Sequence, residues 1–244
     1  MNNIIVNADD FGLSSTANAA IADCFKKGII NRTTLMVNGP CLEEAVRISK
    51  EQDFFEHVGL HINLTFGYPI SKRIQDTILC KEDGAFSGEL LKAKYFAYCP
   101  YSLREVIKEE VEAQIQLYLD YGFTLSHADS HRHIHTRIPI FNIIKGPLLN
   151  HGFQSVRISR NIKEQGLSFF SSIYKRILNE LIIKKNFPNH SDYMCALSDW
   201  ISVGKKFDNV EIMVHPDLDE DGKLFDRNQR KKDYSIQSLI INNC

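Results

Sequence analysis

The sequence predicts an α/β fold: a distorted or incomplete (β/α) barrel, with parallel strands inside and helices outside. Three observations carry this. Short β-branched apolar runs alternate with helical patterns along the 244 residues, which implies crossover units and a parallel sheet. About six or seven such units follow one another without a linker, which favours a barrel over an open doubly wound sheet. Polar side chains able to bind metal recur just past the apolar strands, where such folds gather their sites.

The elements follow in order. Ile4–Ala8 reads as a buried strand running into Asp9-Asp10-Phe11-Gly12. Ser14 and Ser15 are candidate N-caps for a helix from about Thr16 to Lys27, ended by Gly28, with Cys24 on its buried face. A strand over Thr33–Val37, a helix over Leu42–Gln52 and a strand over Val58–Leu64 come next. The stretch 66–101 is irregular and lid-like, with a short helix near Glu89–Phe96. Ser102-Leu-Arg-Glu105 has the form of a capping box. It opens a helix whose stripe is Ile107, Val111, Ile115 and Tyr118, with Gly122 as C-cap. A strand at Thr124–Ala128, a helix at Pro139–Asn150 and a strand at Ser155–Ile158 follow. After these come a helix at Leu167–Lys185, a weak strand at Tyr193–Ala196, a clear strand at Val210–Val214 and a closing helix at Asn228–Ile241. The whole chain, 1–244, reads as one catalytic domain.

Composition excludes several classes. Hydrophobic content of 43%, charged content of 24% and a formal net charge of −1 are those of a globular protein with no global field for nucleic acid or an acidic membrane. No apolar run reaches membrane-spanning length, and no signal peptide is evident. The six cysteines form no CxxC pair or compact framework, so they read as reduced thiols in a cytoplasmic protein.

His127, Asp129, His131, His133 and His135 occupy alternate positions in one window, although the chain has only nine histidines. Imidazole and carboxylate are the side chains that hold divalent metal at neutral pH. A core has no use for such a concentration, because each dry unpaired ring nitrogen is costly. Asp9 and Asp10 end the first strand and repel each other unless a cation compensates them. His61 lies in the third strand, and His215 follows the last clear one. Four separated segments therefore converge on one face of the fold. Two imidazoles and a carboxylate would leave coordination positions open for water and substrate. A second carboxylate could take a proton and an imidazole could give one, which are the parts of a metal-assisted amide or ester hydrolase.

Asn7-Ala-Asp-Asp-Phe-Gly-Leu-Ser14, Gly59-Leu-His-Ile-Asn-Leu-Thr65 with Gly67 and Pro69, and the run His127–His135 closely resemble the YdjC-like carbohydrate deacetylases. The match runs from residue 3 to about 158 and resumes at Val214-His-Pro216. The resemblance implies a barrel like that of the NodB-type deacetylases, and removal of N-acetyl groups from small acetylamino sugars such as chitooligosaccharides. It implies one divalent metal ion, magnesium or zinc, on Asp10, His61 and His131. It also implies Asp9 as base, His215 near the leaving amine, and Arg157 orienting the catalytic carboxylate. His127, Asp129 and His133, with Thr65, would support the ligands or touch substrate. The family also suggests a homodimer. The chain departs from the pattern at Asp217, where relatives usually carry glycine, and 160–209 carries little that matches. Two other readings compete. A barrel phosphoesterase would need cations such as Arg132 and Arg157, and a non-catalytic sugar-binding protein could retain the metal site.

Overall fold

The first strand, β1 (Ile4–Phe11), extends the apolar run through both aspartates. It is seen in a computed structural model that describes residues 4–163, 166–203, 207–229 and 236–239. Ser14 caps α1 (Ser15–Lys26) by accepting from the Ala17 N–H at 3.1 Å, which satisfies one of the donors a helix start leaves open. Next come β2 (Arg32–Leu35), α2 (Leu42–Glu51), β3 (Val58–Ile62), α3 (Tyr101–Asp120), β4 (His127–Ser130), α4 (Ile138–Asn150) and β5 (Ser155–Val156). Then come α5 (Phe169–Arg176), continued by a π-helical stretch over Ile177–Lys184, β6 (Tyr193–Ala196), α6 (Leu197–Val203) and β7 (Val210–Val214).

Seven parallel strands pair in the order β5-β4-β3-β2-β1-β7-β6. Followed as a ring, the strands are sequential from β1 to β5, then break, then run β6, β7 and back to β1. That is barrel order; a doubly wound sheet reverses direction partway. Among the described residues β5 and β6 do not pair. The seam is spanned by the Asn161 and Ile162 amides, which both donate to the Met194 carbonyl at 3.2 Å. The fold is thus an incomplete barrel with helices outside.

The α3 stripe packs as its periodicity predicts: Ile107, Val111, Ile115 and Tyr118 are all buried. Each such side chain contributes about 1.5–3 kcal/mol by leaving water. Tyr118 also donates its hydroxyl between the Val58 and Leu125 carbonyls, at 2.7 and 2.9 Å, tying α3 to the entrance of two strands. The 66–101 excursion holds three short 3₁₀ turns and is pinned to the core through buried Ile74, Leu79, Phe86, Leu90 and Tyr95. The Glu110 carboxylate clamps its start by accepting from the Ile70 and Ser71 amides.

Several expectations need correction. Pro100 precedes the first residue of α3, so the helix starts at Tyr101 and Ser102 lies inside its first turn without capping. Proline as the N-cap residue holds the backbone rigid at the helix entry, two residues ahead of the Ser-x-x-Glu pattern. Strand β4 begins at His127, three residues later than predicted, because Thr124 to Ser126 stay irregular. Two elements went unforeseen: α6, and an antiparallel ribbon of β8 (Pro216–Leu218) and β9 (Leu224–Asp226). Of the closing helix over Asn228–Ile241, the described parts are 3₁₀ turns, and residues 230–235 and 240–244 lie outside the described residues. Cys24, Cys41, Cys80, Cys99 and Cys195 are free thiols. No helix among the described residues is long and apolar enough to cross a membrane.

Candidate metal and catalytic site

Cross-strand register assembles the site. Ala8 pairs with Val214, so Asp9, still within β1, lies beside His215, just past β7. His61 pairs with Asp129. Ala128 pairs with Val156, which brings Arg157 beside Asp129. Strict strand alternation would send Asp9 and Asp10 to opposite faces. The pairing of β1 with β2 shifts between Ala8 and Phe11, and Asp10 adopts φ 69°. That irregularity turns both carboxylates toward one cavity. Arg132 and His133, at φ 56° and 52°, are also left-handed and line the same cavity. Backbone cost of this kind, about 1–3 kcal/mol per residue, tends to collect where function requires it.

The cavity, of about 280 Å³, is lined by Asp9, Asp10, His61, His131, His133 and His215 among others. The Asp10 Oδ1 lies 2.7 Å from His131 Nδ1 and 3.1 Å from His61 Nε2. These three residues offer ligand atoms within 4.8 Å of one another. His61 Nδ1 sits 2.6 Å from Asp129 Oδ1, so a proton held there leaves the Nε2 lone pair facing the cavity. That Nε2 is buried and makes no hydrogen bond. A ring nitrogen set 3.1 Å from a carboxylate oxygen, outside hydrogen-bond geometry and beside a second imidazole, is a donor set that fits a divalent cation. Burial alone would lower the His61 imidazole, but Asp129 and Asp10 push it up to about 10. The cluster calls for positive charge, which a proton or a metal ion can supply.

Asp9 stands next to this group and is held differently. Arg157 is fully enclosed and donates through Nη1 to Asp9 Oδ2 at 2.6 Å and through Nη2 to Asp9 Oδ1 at 2.7 Å. The same guanidinium pairs with Asp129 at 2.7 Å and with Glu211 at 2.5 Å. Burial would raise the Asp9 carboxyl, but Arg157 outweighs it and holds the group well below the ordinary carboxylate range. Asp10 is likewise lowered, with His131 and His61 overcoming burial. Both therefore stay ionised across the neutral range. His215 Nε2 lies 3.8 Å from Asp9 Oδ2, and Asn228 Nδ2 lies 2.9 Å from its other ring nitrogen.

The structure brings together Asp9, Asp10, His61, His131, His133, His215, Asp129 and Arg157. Two others stand outside the Asp10 cavity, although His127 offers a ligand atom within 4.8 Å of those on Asp129 and Glu211. His127 stands at the start of β4, within 2.7 Å of Ser155 Oγ, and lines a different cavity with Arg32 and Asn209. Thr65 is not part of the Asp10 cavity lining. Of the two phosphate candidates, Arg132 is exposed at the cavity while Arg157 is saturated by carboxylates. Sequence reasoning missed Asn7, Thr34, Glu211, Arg227 and Asn228. Asn7 donates to Asp9 Oδ1 at 2.9 Å, and Thr34 donates to Asp129 Oδ2 at 3.1 Å. Arg227 bridges Asp10 Oδ2 at 3.0 Å and Asp217 Oδ2 at 3.1 Å, which gives the unexpected Asp217 a partner. A carboxylate inside Val210-Glu-Ile-Met-Val214 was the available signal for Glu211.

Fold and site together define a barrel protein with a metal-competent Asp-His-His cluster at the carboxyl ends of its strands. The chain belongs to the family described as YdjC-like protein, which matches residues 3–238. It is similar to the carbohydrate deacetylase of Clostridium beijerinckii, with 32% identity over 214 residues, 87% of this chain and 80% of that protein. It is also similar to the carbohydrate deacetylase of Halalkalibacterium halodurans, with 38% identity over 143 residues, 58% of each. A crystal structure from Enterococcus faecalis V583, named for cellobiose-phosphate cleavage, superimposes with a TM-score of 0.68 at 21% identity. It covers 98% of this chain and 90% of its own, and speaks for the fold.

Proposed function

We propose that this protein is a metal-dependent carbohydrate deacetylase that hydrolyses N-acetyl groups on small acetylamino sugars, chitooligosaccharides among them. One observation carries the reading: the buried His61 Nε2 faces Asp10 Oδ1 at 3.1 Å beside His131, with His215 and an ionised Asp9 on the neighbouring strands. Asp10, His61 and His131 would hold a zinc or magnesium ion, whose chemistry is to polarise an acetyl carbonyl and to acidify water. Asp9, bracketed by Arg157, accepts the proton of the attacking water. Its lowered pKa makes it a weak base but keeps it in the accepting form. Asp129 fixes the His61 ring. His215 supplies a proton to the departing amine. The relatives' names support the sugar and the reaction. The saturation of Arg157 by carboxylates leaves a phosphoesterase short of one cation it would need.

The test is acetate release from a panel of N-acetylated mono- and disaccharides, after chelation and after re-addition of zinc or magnesium. Activity should vanish with the chelator and return with one ion per chain. A folded Asp10→Ala variant that deacetylates at the wild-type rate overturns the reading.

A further inference from the structure

The ribbon of β8 and β9 delivers a cation, Arg227, to the Asp10 cavity, and the chemistry described so far gives it no part. Pro216 pairs with Asp226, and Asp217 with Phe225. The Arg227 amide continues the ladder by donating to the His215 carbonyl at 2.9 Å. Side chains alternate across a strand, so Asp217 and Arg227 fall on one face of the ribbon as diagonal neighbours. The ribbon is fastened at both ends. The His215 amide donates to Asp226 Oδ2 at 3.1 Å, and the Asp219 carboxylate closes the turn by accepting from the Asp221 and Lys223 amides. Backbone and Asp217 together therefore aim the guanidinium. Its Nε donates to Asp217 Oδ2 at 3.1 Å and its Nη1 to Asp10 Oδ2 at 3.0 Å.

The Asp10 carboxylate is thereby divided. Its Oδ1 faces His131 Nδ1 at 2.7 Å and His61 Nε2 at 3.1 Å, while Arg227 occupies Oδ2. A carboxylate can ligate through one oxygen or both. With one oxygen engaged by a guanidinium, Asp10 has one left for an ion. A fixed positive charge also repels a cation held nearby, and the Asp10 side chain is only 4% exposed, so water screens that repulsion weakly. Both effects would loosen the grip on the ion. Both would also aid hydrolysis. Fewer protein donors leave a coordination position open for substrate, and an ion that shares its carboxylate with an arginine polarises a carbonyl more strongly.

We propose that Arg227, braced by Asp217, is a positioning residue that lowers metal affinity and raises turnover, by confining Asp10 to one ligating oxygen and keeping the ion electron-poor. The inference rests on the metal-dependent reading of the Asp10 cavity. It gives Asp217, where the resemblance leads one to expect glycine, the task of anchoring that arginine.

Arg227→Gln and Arg227→Lys test it. Competition with a chelating dye reads zinc affinity without turnover, and acetate release from a neutral N,N′-diacetylated disaccharide reads kcat and KM separately. Arg227→Gln should bind zinc about tenfold more tightly than the wild type. Its kcat should fall about tenfold to a hundredfold, with KM within about twofold. Arg227→Lys keeps the charge and loses the fork, so it should lie between the two proteins on both readouts. An arginine that merely supported the fold would loosen the ion when removed, so weaker or unchanged zinc binding in Arg227→Gln overturns the inference. A raised KM with zinc affinity unchanged also overturns it, and assigns Arg227 to substrate instead. A wild type that binds zinc but releases no acetate from any N-acetylated sugar sinks the deacetylase reading, and the direction of the zinc shift still decides how Arg227 acts on Asp10. A wild type that takes up no divalent ion sinks the metal reading and this inference with it.

Discussion

His127 and His131 flank a single four-residue strand and have different surroundings. His127 opens β4, its Nδ1 held against Ser155 and its ring enclosed, and burial together with nearby Arg32 keeps it well below the ordinary imidazole range. His131 follows β4, with its Nδ1 2.7 Å from Asp10 on the other side of the sheet's carboxyl rim. The residue type is the same and the separation is one strand length. What differs is the end of the parallel sheet. At the carboxyl end the loops diverge and open onto the Asp10 cavity, while at the amino end the histidine is enclosed beside Ser155, Asp129 and Glu211. Chemistry here is assigned by position along a strand rather than by side-chain identity.

Substitutions can break or sharpen that contrast. The largest effect belongs to the carboxyl rim: Asp9→Asn should lower kcat by about 10²–10⁴-fold, the usual worth of a proton acceptor. Metal content by elemental analysis should stay unchanged. Glu211→Gln strips one carboxylate from Arg157 and should cost about 3–5 kcal/mol of stability at pH 7. The Glu211 carboxyl is held below its ordinary value, with Arg32 and Arg157 overcoming burial. Its contribution is therefore complete above the unfolded carboxylate pKa of about 4.3 and fades as pH falls below it. Denaturant unfolding at pH 7, 5 and 3.5 should show the gap between wild type and variant narrowing with acid, and a constant gap would contradict the pairing. Asp129→Asn should weaken metal binding by about tenfold to a hundredfold by loosening the His61 ring, as read by competition with a chelating dye. The smallest effect is expected at the amino end, where His127→Ala should leave metal affinity and kcat within about twofold and cost only about 1–3 kcal/mol of stability. If His127→Ala lost metal as His131→Ala does, the distinction between the two ends would fail.

The alternation of Ile4–Ala8, Val58–Leu64 and Val210–Val214 with amphipathic runs made the barrel legible, because each element announces itself within a few residues. Imidazoles and carboxylates past the strands made four converging segments legible, and the resemblance narrowed them to the candidate trio Asp10, His61 and His131. Register was not. Nothing local says that Ala8 lies opposite Val214, yet that pairing sets Asp9 beside His215. The left-handed turn at Asp10 was hidden for the same reason, since positive φ is uncommon outside glycine and here the tertiary setting enforces it. Glu211 and Arg32 satisfy each other at 2.7 Å across two strands separated in sequence, so each looked like an isolated charge in an apolar run. At Ser102 a local pattern was outvoted by Pro100, a nearer and stiffer constraint.

Strand β1 sits between β2 and β7. Of the seven strands it is made first, and it meets one of its two neighbours last. Until β7 emerges, the row from Ile4 to Ala8 has an uncovered flank, the kind of bare edge that recruits strands from other molecules. A nascent chain stopped short of residue 210 would carry both aspartates and both candidate ligand histidines but lack His215, and it would be more prone to clump than to fold.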